Sequence, residues 1–303
     1  MPEVNNMQVL DKVLAGLMDR YKNRVPDVAA IIDAMVKEQI IAESGDIEND
    51  HIAFRTMGVP HLGVQSLEKI FLHYGYRKMD YYHFPEKKLD AWWYAPPAPH
   101  YPRIFISELR VKDLTPQAQQ IITSYTSEVT ADPVDQLNLD DATAVDEFLH
   151  SGLWRLPTIE DYNQLAAESE YAAWVIYNRY YLNHFTISVH NLKEGYNTIP
   201  QFNAFLESHG FVLNDSGGKI KTSPDGLLSQ SSTVAEMITA TFANGVTQPI
   251  SGSYVEFAER KVLPQFAALP ASQLKREHRR EGFEASNADK IFESTYSSQT
   301  NRG

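Results

Sequence analysis

FLHYGY at Phe71–Tyr76 and FLESHGF at Phe205–Phe211 are one helix end written twice. Each closes on a glycine, Gly75 or Gly210, and each glycine follows by about 25 residues a run that opens with histidine: HIAFRT from His51, HFTISVH from His184. Around the first copy, HIAFRT reads as a strand and Ser66 as the cap of a helix through Leu67, Ile70, Phe71 and Leu72. Tyr76–Phe84, Leu89–Tyr94 and Arg103–Arg110 then read as strands from their aromatic and β-branched content. Around the second copy, Phe185, Ile187 and Val189 alternate with His184, Thr186, Ser188 and His190, as a half-buried strand requires. Pro200–His209 is a helix, followed by strands at Phe211–Leu213, Lys219–Thr222, Leu227–Thr233 and Ser253–Arg260. The order β-α-β-β-β thus occurs twice, which is an internal duplication.

Paired units of this kind curl their sheets into a half-open β-barrel whose interior takes a ligand. The expected fold is therefore α+β: duplicated βαβββ units forming a cup, with N-terminal and inserted helices. We expect one catalytic domain over 1–303. N-terminal helices occupy 1–45, the first unit 46–112, a helical insertion 113–182, the second unit 183–262 and a C-terminal tail 263–303. In the first segment Val9, Leu10, Val13, Leu14 and Leu17 recur at helical spacing, and Pro26 stands where a second helix begins. The insertion reads as helices over 115–129 and 158–182, separated by a loop rich in aspartate. The tail beyond Pro270 is charged and is expected on the surface.

Composition narrows the chemistry. Of 303 residues, 43% are hydrophobic and 22% charged, an ordinary globular balance. The formal net charge of −12 opposes nucleic acid and anionic membrane as partners, because the phosphate term would be repulsive. There is no cysteine, so disulfides, thiolate nucleophiles and cysteine-held metal centres are excluded. A metal here must be held by His, Asp or Glu. No apolar run approaches the ~20 residues that cross a bilayer, and the first twenty residues lack a signal-peptide layout. A soluble, cytoplasmic protein is the expectation.

Strand parity selects the residues that share the cup. His51, Ala53 and Arg55 lie on one face of their strand; His184, Thr186 and Ser188 lie on the polar face of theirs. Tyr254, Glu256 and Ala258 oppose Val255 and Phe257. One choice of inward face brings together His51, His184 and Glu256. Two imidazoles and a carboxylate with positions left open form the facial set of non-haem Fe(II) oxygen chemistry. A 2-oxo acid would occupy two open positions and dioxygen a third. Arg55, about 13 Å along the strand from His51, would hold a distal carboxylate by a bidentate pair. Ser231 and Ser232 in QSSTVAE (Gln230–Glu236) are candidates for carboxylate binding. His190 competes with His184 as a ligand, and Glu259 and Glu108 compete with Glu256. For each of these residues the alternative is a structural role: a satisfied core histidine, an internal salt bridge for Arg55, a strand-end cap for the serines.

NDHIAFRT (Asn49–Thr56), NHFTISVH (Asn183–His190) and ISGSYVEFAER (Ile250–Arg260) together resemble the 2-oxoadipate dioxygenase/decarboxylase family, which is related to the vicinal oxygen chelate superfamily. The resemblance spans most of residues 10–295. It implies an Fe(II) enzyme that takes 2-oxoadipate and O₂ to D-2-hydroxyglutarate and CO₂ in lysine breakdown, with its metal ligands at His51, His184 and Glu256 and its substrate-clamping arginine at Arg55. The implied course is chelation of the 2-oxo acid, oxidative decarboxylation, then a second decarboxylation with hydroxylation. The chain is shorter than bacterial members of that family. Two further readings use the same cup: a metal-dependent hydrolase or isomerase of vicinal oxygen chelate type, and a non-catalytic dicarboxylate-binding protein. The sequence leaves the oligomeric state open.

Overall fold

The computed structural model describes residues 2–302; Met1 and Gly303 lie outside the described residues. The first unit contributes β1 (Asn49–Met57), α3 (Val64–His73), β2 (Arg77–Phe84), β3 (Leu89–Ala95) and β4 (Arg103–Leu109). It follows α1 (Pro2–Arg24) and α2 (Pro26–Lys37). The insertion holds α4 (Pro116–Thr126), α5 (Ala142–His150), α6 (Ile159–Glu168) and α7 (Glu170–Asn178). The second unit supplies β5 (His184–Ser188), α8 (Ile199–Ser208), β6 (Lys221–Thr222), β7 (Leu228–Ser232), β8 (Met237–Thr241), β9 (Thr247–Ser251) and β10 (Tyr254–Arg260), and α9 (Ala285–Phe292) and α10 (Ser297–Thr300) close the chain.

Eight strands form one sheet in the order β2-β3-β4-β1-β5-β10-β7-β6. Outward from the centre, each half runs first strand, fourth, third, second, so the duplication is a pseudo-twofold about the antiparallel β1–β5 seam. The register makes the equivalence residue by residue. β1 pairs in parallel with β4, His51 beside Arg103, and β5 pairs in parallel with β10, His184 beside Tyr254. His51 and His184 are thus counterparts, each beside the first residue of its unit's fourth strand.

The same symmetry explains two glutamates that sequence parity left open. Glu108 on β4 accepts the Val64 N–H at 2.8 Å, and Glu259 on β10 accepts the Ile199 N–H at 2.8 Å. Each carboxylate sits on the outer face and caps the helix of its own unit, where free N–H groups and the helix dipole favour negative charge. Between sheet and helices lies the core, continuous with the apolar stripe of α1 (Val9, Leu10, Val13, Leu17). Each such buried aliphatic side chain stabilises by roughly 1.5–3 kcal/mol.

Five sequence expectations are corrected. Ser66, expected to cap α3, lies inside that helix and donates to Asp132 at 2.7 Å, because the helix already begins at Val64. The helix expected over 158–182 is two, because Ser169 is extended (φ −147°, ψ 105°), ending α6 and capping α7 through the Ala172 N–H. The aspartate-rich loop contains α5, whose N-terminus Asp141 caps by accepting from Thr143 and Ala144. Phe211–Leu213 forms only one bridge, Leu213 with Thr233, while a hairpin, β8–β9, turns at Gly245 (φ 76°) between β7 and β10. The C-terminal tail does not merely coat the surface. Phe283, Ile291 and Phe292 are buried, and that segment closes the cup.

Candidate metal centre and substrate pocket

The seam brings β1, β5 and β10 side by side, and the three inward side chains meet there. His51 Nε2 and His184 Nε2 are 3.3 Å apart; Glu256 Oε2 is 2.9 Å from His184 Nε2 and 3.5 Å from His51 Nε2. Three donors on mutually perpendicular axes, each about 2.1 Å from a cation, lie ~3.0 Å from one another. The observed triangle fits a facial set, and all three residues are buried.

What stands behind each donor fixes its free atom. Asp50 Oδ2 accepts from His51 Nδ1 at 2.8 Å, and Asn183 Oδ1 from His184 Nδ1 at 2.9 Å. With both Nδ1 atoms donating, both neutral rings turn a bare Nε2 lone pair toward the other and toward a carboxylate. The Thr186 hydroxyl, 3.1 Å from His51 Nε2, can donate a single hydrogen to that crowd. The acceptors that remain call for a cation, and the nitrogen and oxygen donors suit a divalent metal. Gln230 Nε2 donates to Glu256 Oε1 at 2.6 Å and its Oε1 accepts from Asn287 of α9 at 3.0 Å, leaving Oε2 for the centre.

Without a cation the protonation tendencies of Glu256 and His184 fit this arrangement, and that of His51 runs the other way. Burial works to raise the Glu256 carboxyl, but the two imidazoles hold it well below the usual range, ionised. Burial lowers His184, outweighing the pull of Glu256, whereas for His51 burial is outweighed by Glu256 and Asp50 and its pKa rises. His184 is therefore the more readily neutral of the two.

Over the triad lies a partly open cavity with about 370 Å³ of space between atoms, solvent-facing space included. Its far end holds Arg55, four residues along β1 from His51 and 1% exposed. The guanidinium donates to Thr295 Oγ1 at 2.9 Å and to the Phe292 carbonyl at 3.1 Å, lies 5.1 Å from the rings of Tyr171 and Trp174, and leaves Nε without a partner. No carboxylate pairs with it among the described residues. A buried cation without a counter-ion is costly unless an anionic ligand supplies one. The Tyr254 hydroxyl, buried in the same wall, also lacks a partner. Phe105, Phe283, Ile291 and Phe292 dry the space between the two ends.

The serine expectation fails. Gln230, not Ser231, lines the cavity; Ser231 is turned outward and donates to Asn203 of α8 at 2.6 Å. Ser232 is on the inward side, but its hydroxyl is engaged with Ser294 at 2.8 Å and does not line the cavity. His190 lies outside it, beyond β5 in a short 3₁₀ turn, where Nδ1 accepts the Arg260 N–H. Its pKa is pushed down to about 3 by burial and by Arg279. Reading the sequence missed Asp50, Asn183, Gln230 and the C-terminal wall. An available signal for the first two was the Asp-His and Asn-His dipeptide opening each first strand.

A duplicated βαβββ cup with two histidines and one carboxylate on its floor is a scaffold of the vicinal oxygen chelate type whose donor set fits a metal site. A family model described as 2-oxoadipate dioxygenase/decarboxylase matches residues 13–271, and the chain belongs to that family of enzymes. It is 45% identical over 301 residues to the chloroplastic 2-oxoadipate dioxygenase/decarboxylase of Arabidopsis thaliana, spanning 96% of this chain and 78% of that one. The crystal structure of the hydroxyglutarate synthase of Oryza sativa in complex with 2-oxoadipate superposes with a TM-score of 0.90 at 42% identity, covering 100% of this chain and 96% of the other. A protein from Ralstonia eutropha JMP134 assigned to the glyoxalase superfamily shares the fold, with a TM-score of 0.68 at 19% identity over 90% of this chain and 85% of its own.

Proposed function

We propose that this protein is an Fe(II)-dependent dioxygenase that converts 2-oxoadipate and O₂ to D-2-hydroxyglutarate and CO₂. The observation that carries the reading is Arg55: a buried guanidinium without a carboxylate partner among the described residues, at the opposite end of a largely apolar cavity from three converging metal donors. A dicarboxylate with a 2-oxo group at one end matches both ends of that cavity. The 2-oxoadipate bound to the rice relative supports the same substrate class.

His51, His184 and Glu256 would hold the iron, which when bound supplies open positions for the 2-oxo carboxylate and dioxygen and the electrons that activate the latter. Arg55 binds the distal carboxylate by charge-assisted hydrogen bonds and sets the substrate's reach. Gln230 keeps one Glu256 oxygen occupied, and Asp50 and Asn183 keep the imidazole protons on Nδ1, away from the reacting end. The Tyr254 phenol, held protonated by burial beside Arg55, is placed to donate to a substrate oxygen. The aromatic wall excludes water. The carbon balance admits one CO₂: a six-carbon acid gains two oxygen atoms and leaves as a five-carbon hydroxy acid and CO₂. The second decarboxylation expected from sequence therefore drops out, and hydroxylation of the five-carbon acid completes the reaction.

Chiral product analysis after aerobic incubation of the iron-loaded protein with 2-oxoadipate tests this. D-2-hydroxyglutarate in step with substrate loss is expected. Turnover that persists without oxygen would instead assign a hydrolase or isomerase, and binding without turnover a dicarboxylate-binding protein.

A further inference from the structure

The two histidines that face each other across the seam differ in what lies behind them. His184 has an amide, Asn183, and its counterpart His51 has a carboxylate, Asp50. Asp50 is 1% exposed and held from three directions. Arg260 meets it as a fork, Nε to Oδ1 at 2.7 Å and Nη2 to Oδ2 at 3.0 Å, and Arg103 Nη1 reaches Oδ1 at 3.1 Å. With both oxygens engaged by guanidinium groups, Asp50 is paired as an anion by geometry alone. Its remaining direction is spent on His51 Nδ1 at 2.8 Å.

A carboxylate accepting from Nδ1–H does three things to an imidazole: it selects the tautomer with a free Nε2, stops ring rotation and makes Nε2 a stronger donor. The Asn183 amide does the first two without the charge. We propose that Asp50 is a positioning residue that makes His51 the stronger and more rigid imidazole donor of the pair; this rests on reading the triad as a metal site. The clamp that aims Asp50 also fastens the segment over the cup. Arg103 holds Glu281, with Nε to Oε2 at 2.8 Å, and Arg260 Nη1 donates to the carbonyls of Arg280 at 3.0 Å and Gly282 at 2.7 Å. The next residue, Phe283, meets the His51 ring edge-on at 4.8 Å. Orientation of the donor and closure of the cavity thus share two arginines.

The test is a Co(II) titration of the metal-free full-length protein, read from the visible d–d bands, for the wild type and Asp50→Asn. The substitution keeps an acceptor behind His51 and removes the charge, so that His51 is backed as His184 is. Affinity should fall 10- to 100-fold, with a shifted d–d spectrum that a merely structural role would not produce. A folded Asp50→Asn protein with wild-type affinity and spectrum would overturn the proposal while leaving the metal site intact. A wild type that binds no Co(II) would overturn both. If Asp50→Asn does not fold, the Zn(II)-loaded wild type decides by NMR: a His51 Nδ1–H resonance well downfield of that of His184 supports the proposal, and coincident resonances overturn it.

Discussion

At the scale of single residues, the site depends on ionisable side chains that are buried: Arg55, His51, His184 and Glu256. In the proposed function Arg55 offers the distal carboxylate two charge-assisted bonds, each worth ~1.5 kcal/mol. Arg55→Met should therefore lower kcat/KM for 2-oxoadipate by ~100-fold, about 3 kcal/mol. The loss should be far smaller for 2-oxo acids lacking a second carboxylate, and steady-state kinetics across both classes would read the difference. An equal loss for both would mean that Arg55 only supports the fold. His51, His184, Arg55 and Glu256 were legible because a strand repeats every second residue, so one inward choice per strand placed all four. The same rule applied to QSSTVAE puts Gln230 and Ser232 on one face and Ser231 on the other. What it could not supply was the occupancy of each hydroxyl, since Asn203 and Ser294 come from α8 and the C-terminal segment.

At the scale of elements, the duplication assigns paired jobs. Glu108 and Glu259 cap α3 and α8 from equivalent positions on β4 and β10. Glu259→Ala should cost about 1 kcal/mol by leaving the buried Ile199 N–H unpaired. Chemical denaturation would show a lower midpoint at unchanged slope, and metal affinity should not move. Loss of metal binding would instead place Glu259 among the ligands. The C-terminal segment behaves as wall rather than coat. Phe292 packs edge-on against Phe84 at 5.1 Å and lines the cavity. Phe292→Ala should destabilise by ~3 kcal/mol and weaken substrate binding together, seen in a denaturation curve and in KM. A surface tail would give neither. The strands and most helices were legible because local pattern and tertiary environment agree there. The tail was not: Phe283, Ile291 and Phe292 sit among charges, and their burial depends on a cup built by residues two hundred positions earlier. The break at Ser169 depends on a backbone turn that the apolar pattern runs straight through.

At the scale of the whole molecule, the N-terminal helices are tied to the second unit. The Tyr21 hydroxyl donates to the Tyr254 carbonyl, and the Asp27 N–H donates to Glu236 Oε1 at 2.5 Å. Burial and the neighbouring Glu236 push the Asp27 carboxyl up to about 7. A carboxyl whose folded pKa is raised binds more protons folded than unfolded, so its contribution to stability falls as pH rises from about 4 to 7. Asp27→Asn should remove that slope, raising stability at pH 8 relative to wild type by ~1 kcal/mol, after allowance for partial exposure. Near pH 4 the gain should vanish. Thermal melts of both proteins across this range would check it, and a wild type with no such slope would mean that the pair is relaxed by solvent.

In the function proposed, two units of one fold deliver donors from three strands to a single cation, with a cationic anchor at the substrate's other end. An oxygen electrode tests it most directly. Iron-loaded protein should consume one O₂ for each 2-oxoadipate, with uptake abolished by an iron chelator and absent in Glu256→Ala. No oxygen uptake from protein shown to carry iron, or uptake undiminished in Glu256→Ala, would contradict it.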